Sequence, residues 1–84
     1  MDIKILGPGC MNCKTLYQRT MTALAELNLD ANVEKVEDVQ QIVTYKILST
    51  PALVIDGKVI LKGRVPPVKD LKEMIQNYCD QVVK

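Results

Sequence analysis

A strand followed by a helix is predicted at the start of the chain. Over residues 2–6 two isoleucines alternate with residues such as Lys4, the period-two pattern of a half-buried strand. Glycine and proline at 7–9 interrupt this pattern. The residues that then recur at helical spacing are Cys13, Leu16, Thr20, Leu24 and Leu27. They place one apolar stripe on a first helix, which we expect to begin at Cys10 and to end at residues 28–30.

A weaker strand and a second helix are predicted next. Residues 31–37 carry several charges, which suits a strand at the edge of a sheet. Asp38 followed by Gln41 resembles a capping box, so we expect a helix over about 38–48. The apolar face predicted for this helix consists of Val39, Ile42, Val43 and Ile47.

A β-hairpin and a last helix complete the predicted elements. Apolar segments at 52–55 and 58–62 flank Asp56-Gly57, which is the pattern of a two-residue type I′ turn. A proline-containing loop at 63–67 follows. The apolar stripe of the last helix is then formed by Val68, Leu71, Ile75, Tyr78 and Val82.

The order of elements predicts an α/β fold. The order is β-α-β-α-β-β-α, and a strand–helix–strand unit normally joins parallel strands by a right-handed crossover. The hairpin adds an antiparallel pair, which gives a mixed four-stranded sheet with helices on both faces. At 84 residues the chain has room for one hydrophobic core system, so we expect one domain over 1–84.

Composition and charge narrow the possible functions. The net charge is +1 and Phe and Trp are absent, so nothing favours binding to nucleic acid. No apolar segment approaches the roughly 20 residues that span a bilayer, so no membrane partner is expected. The first residues have no secretory pattern, and the expected location is the cytoplasm. The chain also lacks histidine, which excludes histidine bases and histidine metal ligands.

The candidate chemistry is a pair of cysteines at the predicted start of the first helix. Unpaired backbone N–H groups and the helix dipole favour an anion there, so we expect the pKa of Cys10 to be depressed. Gly9 would help to hold that sulfur at the helix start, and Lys14 and Lys4 would add positive field. Cys13 falls on the apolar side and should be more buried. An exposed thiolate with a shielded neighbour suits thiol–disulfide exchange.

Other interpretations of the cysteines remain open at this point. One is that the pair only fills space; another is that it binds Cu(I) or Zn(II) as a carrier, although a structural zinc site usually needs four ligands. A third alternative is a partner-binding module gated by the redox state of the pair.

Cys79 lies beside the apolar stripe of the last helix and is expected to be a packed core thiol. The alternative is that Cys79 is a third redox thiol or a thiol that forms a dimer.

The motifs together resemble a known superfamily. The strand–GCMNC–helix unit, the segment TPALVIDG and the segment GRVP are similar to those of the thioredoxin-like superfamily, over about residues 2–80. The resemblance is greatest to its short members, called small redox-active disulfide proteins. It implies a thioredoxin-like βαβαββα fold, a mixed four-stranded sheet flanked by helices. In that family pattern Cys10 is the attacking cysteine, Cys13 resolves the mixed disulfide, and Pro51 is the cis-proline beside them. Without the resemblance, Pro51 would be expected to be a trans turn proline, because only about 5–6% of X–Pro bonds in folded proteins are cis.

The same resemblance implies a substrate-binding segment. Thr50 would offer its backbone to an extended substrate, Gly63 would allow close approach, and Arg64 would select a partner. The simpler alternatives are a helix stop, a turn glycine and a solvated charge, respectively. The chain departs from thioredoxins in having Gly9 where a Trp is usual, Met-Asn between the cysteines, and Lys4 at the position of a buried acid. The glutaredoxin Cys-Pro-Tyr-Cys and glutathione-site patterns are absent.

The predicted function is that of a thioredoxin/glutaredoxin-like dithiol–disulfide oxidoreductase. Its substrate would be a disulfide in a protein or in a small molecule. Its reductant would be a thioredoxin-reductase-type enzyme or a thiol. No cofactor is expected beyond the Cys10–Cys13 disulfide itself, and no resident metal.

Overall fold

The structure, a computed structural model, describes the backbone of residues 1–9, 11–47 and 49–83, with side chains up to residue 80. Its elements are β1 (Asp2–Leu6), α1 (Met11–Glu26), β2 (Asn32–Val36), α2 (Val39–Val43), β3 (Ala52–Ile55), β4 (Lys58–Lys62) and α3 (Val68–Val83). This order matches the predicted one. Within the described ranges no helix combines the length and the apolar character that a membrane crossing requires.

The four strands form one mixed sheet in the order β2-β1-β3-β4. β1 runs parallel to β2, with Ile3 opposite Val33, and antiparallel to β3, with Ile3 opposite Ile55. β3 and β4 are antiparallel neighbours. The charged strand β2 therefore lies at an edge, where its exposed face and free edge are compatible with its charges. The predicted mixed four-stranded sheet is confirmed.

Both faces of the sheet are covered, each by its own set of apolar side chains. Alternation along β1 directs Ile3 and Ile5 to one face and Leu6 to the other. The buried residues on the α1 and α3 face are Ile3, Ile5, Leu16, Ala23, Leu24, Leu53, Ile55, Leu61, Leu71 and Ile75. The buried residues on the α2 face are Leu6, Val36, Ile42, Ile47, Ala52 and Val54. Full burial of each Leu, Ile or Val side chain stabilises the fold by about 1.5–3 kcal/mol.

The second helix is shorter than predicted, because the chain has to bury both Ile42 and Ile47. The observed helix covers Val39–Val43 rather than 38–48; of the predicted range, Leu48 lies outside the described residues. At 3.6 residues per turn, positions five apart differ by about 140° around a helix, so a continuous helix would not bury both isoleucines. The chain instead leaves the helix through a turn in which Lys46 has φ 59°, and Ile47 reaches the core.

The predicted apolar face of this helix is wrong in part. Ile42 is buried, but Val39 and Val43 are 61% and 57% exposed. Asp38 caps the helix as predicted, although its Oδ1 accepts from the N–H of Gln40 at 2.9 Å, one position before the residue that a capping box would use. The β-branched valines favour helix only weakly, which is consistent with so short an element.

The hairpin has the predicted turn and is tied to two other elements. Asp56 and Gly57 both have positive φ, at 50° and 83°, as a type I′ turn requires. The N–H of Asp2 donates to Asp56 Oδ1 at 2.8 Å, and the Tyr78 hydroxyl donates to Oδ2 at 2.9 Å.

These two hydrogen bonds shift the pKa values of the groups that they join. The bond from the Asp2 backbone has the larger effect and the bond from Tyr78 the smaller, and both lower the pKa of Asp56 from its ordinary 3.8. The same bond to Asp56 raises the pKa of Tyr78 above 10.0.

Asp56→Asn is expected to cost stability only while the native carboxylate is ionised. Asparagine accepts hydrogen bonds and tolerates positive φ, but it carries no charge. Because the folded pKa of Asp56 lies below 3.8, its contribution is present above that pH and is lost as the pH falls through the lower folded value. Thermal unfolding should show a constant gap in Tm between about pH 5 and about pH 9, and the gap should close as the pH falls below 3.8. A gap of the same size throughout would contradict this role.

Candidate functional site

Cys13 is a buried residue in the first turn of α1. β1 ends at Leu6, the Gly-Pro-Gly segment occupies residues 7–9, and α1 is described from Met11 onward. The Cys13 side chain is 6% exposed, in agreement with its predicted place on the apolar face. Cys10, the predicted attacking residue, lies outside the described residues.

Gly7 lies in direct contact with Cys13 and was missed by the sequence analysis as a site residue. A Cβ at Gly7 would overlap the Sγ of Cys13, and it would lie 3.2 Å from Cys13 Cβ and 3.9 Å from the Cα of Pro51. The N–H of Gly7 donates to the carbonyl of Val36 at 2.9 Å, which holds this point against β2. The available signal was a glycine at the end of a buried strand, since such glycines often mark a close approach.

Pro51 and Gly63, two predicted substrate-binding residues, are adjacent. The Thr50–Pro51 peptide bond is cis. The N–H of Gly63 donates to the carbonyl of Pro51 at 2.8 Å, and a Cβ on Gly63 would lie 3.0 Å from the Cβ of Ser49. Through Gly7, Pro51 also lies beside Cys13. The structure therefore brings Cys13, Pro51 and Gly63 into one region.

Thr50 and Arg64 flank that region and are both exposed. The loop that carries Arg64 is fastened to α1 by Arg19, whose Nη1 donates to the carbonyls of Val65 and Pro66 at 3.2 Å each. Arg19 was not predicted, because a single arginine on a helix has no pattern that distinguishes it from a solvated one. Its two bonds nevertheless fix the position of the loop beside the site.

A cavity of ≈ 280 Å³ opens beside Cys13. Its lining residues are Ile5, Gly7, Pro8, Gly9, Cys13, Lys14, Lys35 and Glu37. Gly9 has φ 91°, and a Cβ there would lie 2.8 Å from Oε2 of Glu37. Lys35 lies with its Nζ 4.6 Å from the centre of the Tyr17 ring, a cation–π contact. The cavity thus combines a buried thiol with charged groups of both signs.

Of the three residues predicted to tune the pKa of Cys10, two line this cavity and one does not. Gly9 and Lys14 line the cavity, whereas Lys4 is not among its lining residues. Lys4 pairs in register with Glu34 and Val54 and alternates with Ile3 and Ile5, so it lies on the α2 face of the sheet. Glu37 lines the cavity but was missed by the sequence analysis, because it follows the end of β2 and belongs to no motif.

Other candidate chemistry is limited among the described residues. They contain no group of three or more Cys, Asp or Glu side chains arranged to hold a metal ion. A site made of two thiolates would include Cys10, whose position is outside those ranges. Cys79 is half-buried and packs against the core between the sheet, α1 and α3.

Comparison with known proteins places this chain in a family. The model of the thioredoxin domain family matches residues 1–76. The chain is 33% identical to the thioredoxin of Methanocaldococcus jannaschii over 93% of its own length and 90% of that protein. It is 35% identical to the thioredoxin of Methanothermobacter thermautotrophicus over 89% and 97% of the two chains. Thioredoxin 1 of Thermosipho africanus shares the fold, with a TM-score of 0.62 and 19% identity over 100% of both chains. By these matches the chain belongs to the thioredoxin domain family.

Proposed function

We propose that this protein is a dithiol–disulfide oxidoreductase that reduces disulfides of proteins or small molecules through Cys10 and Cys13. The observation that carries the proposal is the setting of Cys13: a buried thiol at the start of a helix, beside the Pro51 segment. That setting occurs in a chain of the thioredoxin domain family, and two relatives similar over most of its length are thioredoxins. A cysteine that only filled space would require neither the buried glycine against its sulfur nor the loop beside it.

The proposed reaction has two exchange steps. The Cys10 thiolate attacks one sulfur of the substrate disulfide, and the other sulfur leaves as a thiolate. The Cys13 thiolate then attacks the Cys10 sulfur of the mixed disulfide, and the second substrate sulfur leaves. Two electrons have passed to the substrate, and the protein holds a Cys10–Cys13 disulfide. A thiol or a thioredoxin-reductase-type enzyme restores the dithiol, and no further cofactor takes part.

The surroundings of Cys13 support roles for the other predicted residues. Gly9 and Lys14, both in the cavity lining, would favour the Cys10 thiolate. An extended substrate segment would lie along Thr50 and Gly63, which are both exposed. The exposed guanidinium of Arg64 at the edge of this region would contact the partner. We further propose that the protein works in the cytoplasm, where reductants of these classes are available.

Reduction of insulin disulfides tests the proposal. With dithiothreitol as the reductant, we expect the wild-type protein to accelerate insulin precipitation well above the rate of dithiothreitol alone. The double variant Cys10→Ser/Cys13→Ser should give the rate of dithiothreitol alone, because serine does not carry out thiol exchange. Equal rates for the two proteins would refute the proposed activity.

A further inference from the structure

The second exchange step, if the proposed function holds, requires that Cys13 lose a proton. The thiolate is the nucleophile in disulfide exchange, and the thiol is not. Cys13 is 6% exposed and is packed against Gly7, so its sulfur has little contact with bulk water. Forming an anion in such surroundings is costly unless a nearby group takes the proton as the bond forms.

The cavity beside Cys13 contains one group that accepts a proton. Among the described residues that line it, Glu37 is the one acidic residue, and a carboxylate can take up a proton. The cavity volume of ≈ 280 Å³ is large compared with the ~30 Å³ that one water occupies in the liquid. Water can therefore connect the carboxylate to the thiol.

The sheet register explains why Glu37 reaches this cavity. Lys35 pairs with Ile5 in the parallel β1–β2 ladder, and the contact of Lys35 with Tyr17 shows that its side chain lies on the α1 face. Glu37 follows by two residues and therefore continues on the same face, beyond the end of β2. The glycine at position 9 leaves space for the carboxylate, since a Cβ there would lie 2.8 Å from Glu37 Oε2.

We propose that Glu37 accepts the proton of Cys13, through cavity water, in the step that resolves the mixed disulfide. The proton moves from Cys13 Sγ to water and from that water to the Glu37 carboxylate. The Cys13 sulfur then bonds to the Cys10 sulfur, and the bond between Cys10 and the substrate sulfur breaks. The electron pair of that bond leaves with the substrate as a thiolate, which takes up a proton from solvent. When the product has left, Glu37 returns its proton to solvent.

A purely electrostatic effect of Glu37 would have the opposite sign. A carboxylate beside a thiol disfavours the thiolate, since the two anions repel each other. Removing the charge by Glu37→Gln would then accelerate both exchange steps. If Glu37 is the proton acceptor, the same change slows the second step and leaves the first unchanged or slightly faster. The direction of the change in the second step separates the two explanations.

Stopped-flow reaction with 5,5′-dithiobis(2-nitrobenzoate) measures both steps in one experiment. Attack by Cys10 releases one thionitrobenzoate ion, and attack by Cys13 on the resulting mixed disulfide releases a second. All proteins would carry Cys79→Ala, so that only the two site thiols react, and thermal unfolding would verify their folds. We expect Glu37→Gln to slow the second release about tenfold or more. This is less than the roughly 100- to 10,000-fold typical of a general base, because solvent also accepts protons.

Two further variants make the result specific. Glu37→Asp retains a carboxylate and should recover most of the rate of the second release. Glu34→Gln removes the same charge from an exposed residue of β2 that pairs with Lys4 on the α2 face, and it should change neither release. A second release that is unchanged or faster in Glu37→Gln, or equal slowing of both releases, would overturn the role of Glu37. Loss of the second release in the parent protein would instead refute the proposed function.

Discussion

Cys13→Ser is expected to stop catalytic turnover while the protein still reacts once with a disulfide. The variant retains the residue proposed to attack, so the first exchange step proceeds and forms a mixed disulfide on Cys10. It lacks the buried thiol that would displace the product, so the mixed disulfide accumulates. Insulin reduction should fall to the rate of dithiothreitol alone. Cys10→Ser should lose the same activity without accumulating the adduct, because its remaining site thiol is buried.

Intact-protein mass spectrometry measures how much adduct each variant forms after exposure to a disulfide reagent about the size of glutathione. The expected result is one adduct per chain for Cys13→Ser, removable by dithiothreitol, and little adduct for Cys10→Ser. Cys79→Ser is the matched control, because Cys79 packs against the core between α1 and α3 rather than lining the cavity. It should retain turnover. Accumulation of adduct on Cys10→Ser instead would reverse the proposed roles of the two cysteines.

Gly7→Ala is expected to impair both stability and thiol exchange, because the new methyl group would occupy the space of the Cys13 sulfur. A Cβ at this position would overlap Sγ and would also lie 3.2 Å from Cys13 Cβ. Both sides of the contact are constrained, since Gly7 is hydrogen-bonded to β2 and Cys13 belongs to α1. Overpacking of this kind typically lowers the free energy of unfolding by about 1–3 kcal/mol. Displacement of the sulfur should also slow insulin reduction.

Gly57→Ala is the control that separates lost stability from a displaced thiol. Gly57 has φ 83°, and among the described residues no atom lies within 4 Å of the position that an alanine methyl group would take. Alanine there would therefore strain the backbone of the hairpin turn alone. The cost of such a conformation is roughly 1–2 kcal/mol, similar to the loss expected for Gly7→Ala. Urea unfolding and insulin reduction should show lower stability in both variants and slower turnover in Gly7→Ala only. Unchanged stability and turnover in Gly7→Ala would contradict the close packing of Gly7 against Cys13.

Elements with a strong local pattern were predicted with nearly correct bounds. β1 covers the predicted residues 2–6, and the hairpin strands at 52–55 and 58–62 match as well. Alternation and the Asp-Gly pair depend on neighbouring residues alone, and the observed positive φ values of the turn follow from them. The edge position of β2 was also predicted, since its charges would be costly in the middle of a sheet.

Elements whose form depends on distant contacts were predicted less well. α2 was expected to continue to residue 48, but burial of Ile47 against the α2 face of the sheet ends it at Val43. Among the site residues, Gly7 and Glu37 were missed for the same reason. Gly7 matters because α1 folds back against it, and Glu37 because the parallel β1–β2 register brings it beside Gly9.

By itself the sequence determined the order of strands and helices, the spacing of Cys10 and Cys13, and the family to which these motifs are similar. Such features depend on short segments, because hydrophobic periodicity, turn residues and motif spacing involve residues that are close together in the chain. The tertiary structure decided which groups surround Cys13: Gly7 against its sulfur, Pro51 beside it, and Glu37 in the adjoining cavity. These neighbours come from separate parts of the chain, and only the packing of α1 on the sheet and the register of its strands bring them together.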